Sequence, residues 1–374
     1  MEFRDIKAQY NIYKKEIDAA IQEVLSSSNF IGGEQVNILE KRLAEYVGVK
    51  NCISCGNGTD AMTLLMMGWD IKAGDAVFVP DFTFFSSGEV VAFSGATPIF
   101  VDVNKDTFNI DTIKLESAII KVLDEGKLMP KVIIPVDLFG LPADHIEIER
   151  IARKYNLKVL EDAAQGFGGS INGKKACSFG DAAATSFFPA KPLGCYGDGG
   201  AIFTDDDELA RLLNSLKSHG KGQDKYDNVR IGINSRLDSI QAAILNVKLT
   251  AFIDHELEDV NKIYKLYTDK LKGIVEKPTI PDNYLSSFAQ YTIKLENKEA
   301  RDTLQKKLKG EGIPSMIYYA KPMHKQSAFL EYKYGDKDFE VTNQLSDIVL
   351  SLPMHPYLKE KDVNHVCKTI SHFK

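Results

Sequence analysis

From about residue 50 the chain settles into a repeating order of short apolar run, turn and helical stretch. The apolar runs fall at 76–80, 97–103, 131–136, 158–160, 182–187 and 201–204. Near-continuous apolar strands alternating with helices predict an α/β fold built on a mostly parallel sheet covered by helices on both faces. Ahead of it, 10–28 and 34–47 carry helix-period apolar positions, split by the turn-like Asn29-Phe30-Ile31-Gly32-Gly33. Residues 236–273 read as one long or broken helical stretch, free of glycine until Gly273. A strand over 290–295, a helix over 298–308, a strand around 315–318 and a closing helix near 361–372 follow. We therefore expect a large α/β domain over 1–250 and a small C-terminal α+β domain over 251–374.

Composition narrows the partners. With 46 basic and 52 acidic residues the net charge is −6. No basic run is long enough to track a nucleic acid, which argues against that partner. No apolar stretch reaches membrane-spanning length and the start is charged, so a cytoplasmic protein is expected. Five cysteines are an odd count without framework spacing, which fits reduced thiols. Cys52-x-x-Cys55 lacks a second Cys/His pair, so it reads as core and no metal site is expected.

Lys191 stands out within Ser186-Phe187-Phe188-Pro189-Ala190-Lys191-Pro192-Leu193-Gly194, with no acid close in sequence. Desolvation favours the uncharged form of such an amine, which then attacks a carbonyl to form a Schiff base. About thirty residues upstream, Lys158-Val159-Leu160-Glu161-Asp162 reads as a buried strand ending on a carboxylate. Ligands of open α/β sheets sit outside the carboxyl ends of strands, so Asp162 points to a cofactor position. Pyridoxal 5′-phosphate (PLP) suits both groups: its aldehyde takes the lysine, and its ring nitrogen stays protonated beside an anion. Gly56-Asn57-Gly58-Thr59-Asp60 opens a predicted helix, and unpaired N–H groups there favour a phosphate. Asp81-Phe82-Thr83-Phe84-Phe85-Ser86 offers an aromatic plate at the sheet edge.

Glu161-Asp162-Ala163-Ala164-Gln165, the Lys191 segment and Gly197-Asp198-Gly199-Gly200 together resemble the DegT/DnrJ/EryC1/StrS family. Its members are fold-type I, PLP-dependent aminotransferases of nucleotide-linked keto sugars, and the likeness runs from Phe3-Arg4-Asp5-Ile6-Lys7 to Leu352-Pro353-Met354-His355-Pro356. The resemblance implies that Lys191 carries PLP and serves as general base, with Asp162 at the ring nitrogen. It implies phosphate contacts from Gly58, Thr59 and Ser186, stacking by Phe84, and a bond from Gln165 to the ring's 3′ oxygen. Asn234, in Gly232-Ile233-Asn234-Ser235-Arg236-Leu237-Asp238, is implied to reach the phosphate of a neighbouring subunit, giving a homodimer with composite sites. Arg236, Tyr318, Tyr319 and His324 are candidates for substrate contact.

Members with histidine at the lysine position catalyse deoxygenation, so Lys191 favours amino transfer, with glutamate as donor. The motifs are most similar to enzymes that aminate C3 of a nucleotide-linked sugar for surface polysaccharide, such as the 3-oxo-glucuronate group. Ala320 and Tyr318 depart from that group. A 4-keto sugar nucleotide and a small phosphorylated ketone stay open as substrates. A non-catalytic PLP-binding regulator is the rival class, and no DNA-binding extension is visible for it.

Overall fold

In the computed structural model, which describes every residue except Lys225 and Lys374, the expected strands assemble into one sheet. In chain order its strands are β1 (Asn51–Cys55), β2 (Asp75–Pro80), β3 (Thr97–Val101), β4 (Met129–Ile133), β5 (Lys158–Asp162), β8 (Ala182–Ser186) and β9 (Gly200–Thr204), while the short β6 (Ser170–Ile171) and β7 (Lys174–Lys175) pair with each other outside it. The seven-stranded sheet has the order β1-β9-β8-β5-β4-β2-β3. Five neighbours, β8-β5-β4-β2-β3, pair in parallel, and β9 runs antiparallel to both β8 and β1. All six residues of β2 are buried. A strand covered on both faces needs apolar residues at every position, which is why this pattern was legible as continuous runs.

Leu64, Leu65, Val77, Val79, Leu160 and Ile202 fill the core on one face of the sheet. On the other, Ala76, Phe78, Ile133 and Val159 pack against Leu115, Ile119, Ile148 and Ile151. β5 contributes Leu160 to one side and Val159 to the other, as the two-residue alternation of a strand requires.

The long helical stretch is an α-helix, Ser239–Ala251, a π-helical turn, Phe252–Glu256, and a second α-helix, Leu257–Lys270. It enters one core with Leu245, Leu249 and Phe252 and a second with Val260, Ile263 and Tyr267. That second core gathers around β11 (Tyr291–Lys294) and β12 (Val349–Leu352), which pair antiparallel; β10 (Tyr284–Leu285) pairs with β6. The expected strand near 315–318 is instead a single bridge between Met316 and Ser351. Pro314 has no N–H to donate, and the chain turns at Tyr318 and Tyr319, so the pairing does not extend. The helix Glu340–Ile348 and β12 had no clear signal in sequence. The first predicted helix divides at Tyr13 into Ile6–Ile12 and Lys14–Ser27. Among the described residues, no helix is long and apolar enough to cross a membrane.

Candidate active site

β8 ends at Ser186 and the chain folds into a tight loop before β9. The loop closes on its own backbone, with Lys191 N donating to Phe188 O at 2.9 Å and Cys195 N to Phe187 O at 2.8 Å. Gly194 is needed there: a Cβ would fall 2.6 Å from the carbonyl oxygens of Phe188 and Pro189. Burial lowers the pKa of the Lys191 amine; Asp162 opposes that shift and Arg4 adds to it. The loop thus presents an amine biased toward its neutral, nucleophilic form.

Asp162 closes β5 at the carboxyl edge of the sheet. Its Oδ2 accepts from Ser87 Oγ at 2.8 Å and its Oδ1 from Ala164 N at 3.1 Å. Thr83 Oγ1 lies 3.2 Å from Ser87 Oγ. Burial raises the Asp162 pKa, while the Ser87 and Ala164 bonds and the Lys191 charge hold it down. A buried carboxylate with neutral donors on both oxygens is suited to a cationic group brought beside it.

Across the sheet edge, β1 turns into the helix Gly58–Gly68. Asn57 caps this helix, its side chain accepting from Asp60 N at 2.8 Å. Ser235 Oγ accepts from Gly56 N at 2.8 Å and donates to Asp60 Oδ2 at 2.6 Å, fixing the turn. A Cβ on Gly58 would meet Ser186 Cβ at 2.8 Å, and one on Gly200 would meet the Asn57 carbonyl carbon at 2.4 Å. Only glycines allow this approach, which sets Ser186 against the helix start. Thr59 lies half-buried in the first turn.

The three phenylalanines after β2 separate. Phe82 is buried against Phe108 and Phe139, and Phe85 packs on Phe329. Phe84 is 55% exposed, its ring centroid 6.4 Å from that of Tyr319. Tyr319 accepts from Gln165 Nε2 at 3.0 Å, while Gln165 Oε1 accepts from Phe139 N at 2.7 Å. Gln165 is therefore oriented from both ends.

The remaining candidates lie differently. Tyr318 sits half-buried between Phe3 and Tyr319. Asn234 and Arg236 are exposed on either side of buried Ser235. His324 is buried, with Nδ1 2.6 Å from Asp81 Oδ2, Nε2 3.0 Å from Asp336 Oδ1 and its ring stacked on Phe339 at 4.3 Å. Both its nitrogens are engaged in holding the 323–339 segment. Sequence reasoning did not single out Ser87, Ser235 or the role of Gly200.

The residues present fit PLP: an amine for the aldehyde, a buried anion for the pyridinium, a glycine-lined helix start for the phosphate and an exposed aromatic ring. Fold and site together define a Schiff-base-forming α/β enzyme of the aminotransferase class. The sequence profile of the DegT/DnrJ/EryC1/StrS aminotransferase family matches residues 11–371, and the chain belongs to that family. It is 43% identical to the UDP-2-acetamido-2-deoxy-3-oxo-D-glucuronate aminotransferase of Pseudomonas aeruginosa, covering 99% of each chain. The crystal structure of a DegT/DnrJ/EryC1/StrS aminotransferase from Brucella abortus superposes with a TM-score of 0.97 at 48% identity, covering 100% of this chain and 99% of that one. The structure of NtdA from Bacillus subtilis with bound cofactor PMP gives a TM-score of 0.88 at 31% identity, covering 97% of this chain and 82% of that one.

Proposed function

We propose that this aminotransferase uses PLP to move an amino group from glutamate to a nucleotide-linked 3-keto sugar. The observation that carries the reading is the pairing of the half-buried Lys191 amine with the buried Asp162 carboxylate, each acting on the other's charge. PLP, when bound, supplies an aldehyde to receive the amino group and an electron-drawing ring. Lys191 would hold the cofactor through its aldehyde and, when free, its amine would serve as the base that moves the substrate proton. Asp162 would keep a proton on the ring nitrogen. The N–H groups at Gly58 and Thr59, with Ser186, would hold the phosphate. Phe84 would stack on the ring and Gln165 would hold the 3′ oxygen. Similarity to the 3-oxo-glucuronate aminotransferase supports the choice of a 3-keto sugar.

We read the assembly as a homodimer in which Asn234 completes the partner's phosphate site. The outward placement of Asn234 and of Ile231, 88% exposed, supports this reading. Arg236, with His219, Lys221 and Arg230, lines an open basin whose charge suits a nucleotide diphosphate. Tyr319 stands beside Phe84, with Tyr318 next to it, and we assign both to substrate contact. His324, bound at both nitrogens, acts on that loop through its position.

The test is to treat the PLP-loaded protein with glutamate, remove the excess, and offer a panel of ketones while following visible absorbance. A nucleotide-linked 3-keto sugar should restore the absorbance fastest. A 4-keto sugar or a phosphorylated ketone acting faster would reassign the substrate. Failure of every amino donor to bleach the protein would leave the regulator reading standing instead.

A further inference from the structure

The opening segment Phe3-Arg4-Asp5-Ile6-Lys7 has no assigned role in holding cofactor, yet it bonds directly to the loop of Lys191. Arg4 Nη2 donates to Pro192 O at 3.1 Å, one residue beyond the lysine, and Met354 N donates to Phe3 O at 3.2 Å, tying the segment down. Arg4 and Lys191 line the same small cavity.

The other groups in that cavity are occupied or uncharged. Glu256 accepts from Gln9 Nε2 at 2.9 Å and from the Tyr357 hydroxyl. Lys248 donates to Gly194 O and lies over the Tyr196 ring at 4.9 Å. Burial, with Arg4 adding to it, lowers its pKa to about 7. His355 is buried with no partner on either ring nitrogen, and burial and Arg4 lower its pKa to about 4, so it is neutral at pH 7. Asp5 is engaged as the cap of the first helix, accepting from Ala8 N at 2.8 Å. Arg4 itself keeps its charge: burial lowers its pKa to about 10, with Glu256 and Tyr357 opposing. Outside the cavity, Asp162 is the acid whose charge acts on the amine.

We propose that Arg4 is a positioning residue for amino transfer: its guanidinium holds the Lys191–Pro192 turn from behind and sets a fixed positive charge beside the Lys191 amine. A neighbouring cation disfavours a second positive charge, so Arg4 works with burial to keep the amine neutral and against the pull of Asp162. The role assigned to Lys191 rests on the aminotransferase reading. The charge relation between the two side chains does not.

That difference sets the experiment. The full-length protein, freed of cofactor, is labelled with acetic anhydride across a pH series, and modification of Lys191 is followed by mass spectrometry. In Arg4→Gln, which keeps a donor for Pro192 O but loses the charge, the Lys191 curve should move to higher pH. Labelling near neutrality should fall about tenfold, one pKa unit. Arg4→Lys should follow the wild type. Should Arg4→Gln melt too readily, Arg4→Met against Arg4→Lys makes the same comparison. An Arg4→Gln curve superimposed on the wild type overturns the proposal, as does an Arg4→Lys curve displaced as far as Arg4→Gln. With cofactor bound, the acidic limb of the kcat profile should move in the same direction. Labelling uses neither cofactor nor sugar, so its failure leaves the amino-transfer reading intact, and failure of amino transfer leaves the labelling result intact.

Discussion

Glu161 and Asp162 are consecutive, acidic and buried, and the sheet sends them to opposite sides. Asp162 meets a serine hydroxyl, one backbone N–H and the lysine's charge. Glu161 meets a closed set: Oε1 accepts from Cys177 N at 2.7 Å and Oε2 from Phe179 N at 2.9 Å. Beyond it, His145 Nε2 lies 2.8 Å from Asp137 Oδ1, and its ring stacks flat on Phe179 at 4.4 Å. Burial pushes the Asp137 carboxyl up to about 7 and raises Glu161 as well, so the two acids favour sharing a proton. The lesson lies in the partners. A hydroxyl can reverse and donate elsewhere, whereas a backbone N–H cannot. The Asp162 side can accept a new group, whereas both Glu161 oxygens are held by backbone donors that cannot turn away.

The comparison breaks if both sides respond alike to substitution. Lys191→Ala, on the open side, should cut turnover by roughly 10⁴-fold or more and remove the visible absorbance of bound cofactor. Retained absorbance and activity would refute the assignment. Asp162→Asn should lower kcat by roughly 10²-fold, with cofactor still bound. Its cofactor-free form should lose no stability: burial raises the Asp162 pKa, so ionising it costs stability as pH climbs from the unfolded carboxylate's value to the folded one. The Ser87 hydroxyl can also turn to the new amide. A melting curve at neutral pH well below wild type would contradict this.

Glu161→Gln tests the closed side. Either orientation of the amide sets NH₂ against a backbone N–H, costing about 1–3 kcal/mol in denaturant unfolding, with turnover of the folded fraction little changed. A collapse of kcat at unaltered stability would show that the two acids share one function.

The smallest effect is expected at His324, also a closed site. Burial lowers its pKa, but Asp81 and Asp336 outweigh that and raise it. A raised folded pKa means the contribution is full below the unfolded value of about 6.5. It is lost as pH rises through the folded value. The wild-type advantage over His324→Gln in melting temperature should therefore shrink between mildly acidic and alkaline pH. An advantage that grows would reverse the assignment.

Much of this was legible beforehand because it is local. Six of the seven strands of the large sheet announced themselves by apolar runs, the Asn57 cap by its glycine neighbours, and Lys191 by prolines and glycines that no surface lysine needs. β12 was not legible, because its partner β11 is nearly sixty residues away and nothing adjacent marks it. Phe84 was set apart from Phe82 and Phe85 only by the family resemblance, since what each ring meets depends on Tyr319 and Phe329 arriving from the far end of the chain.

By itself the sequence determined the alternation of strand and helix, the amine, the acid and the glycine turn, because propensity, apolar periodicity and steric permission act within a few residues. Tertiary structure alone decided what holds Glu161, that Ser87 meets Asp162, that His324 is tied at both nitrogens, and that Arg4 bonds the loop of Lys191. Those relations join segments up to 243 residues apart, as between Asp81 and His324. They exist only once the core has packed, where burial and neighbouring charge set what each group can do.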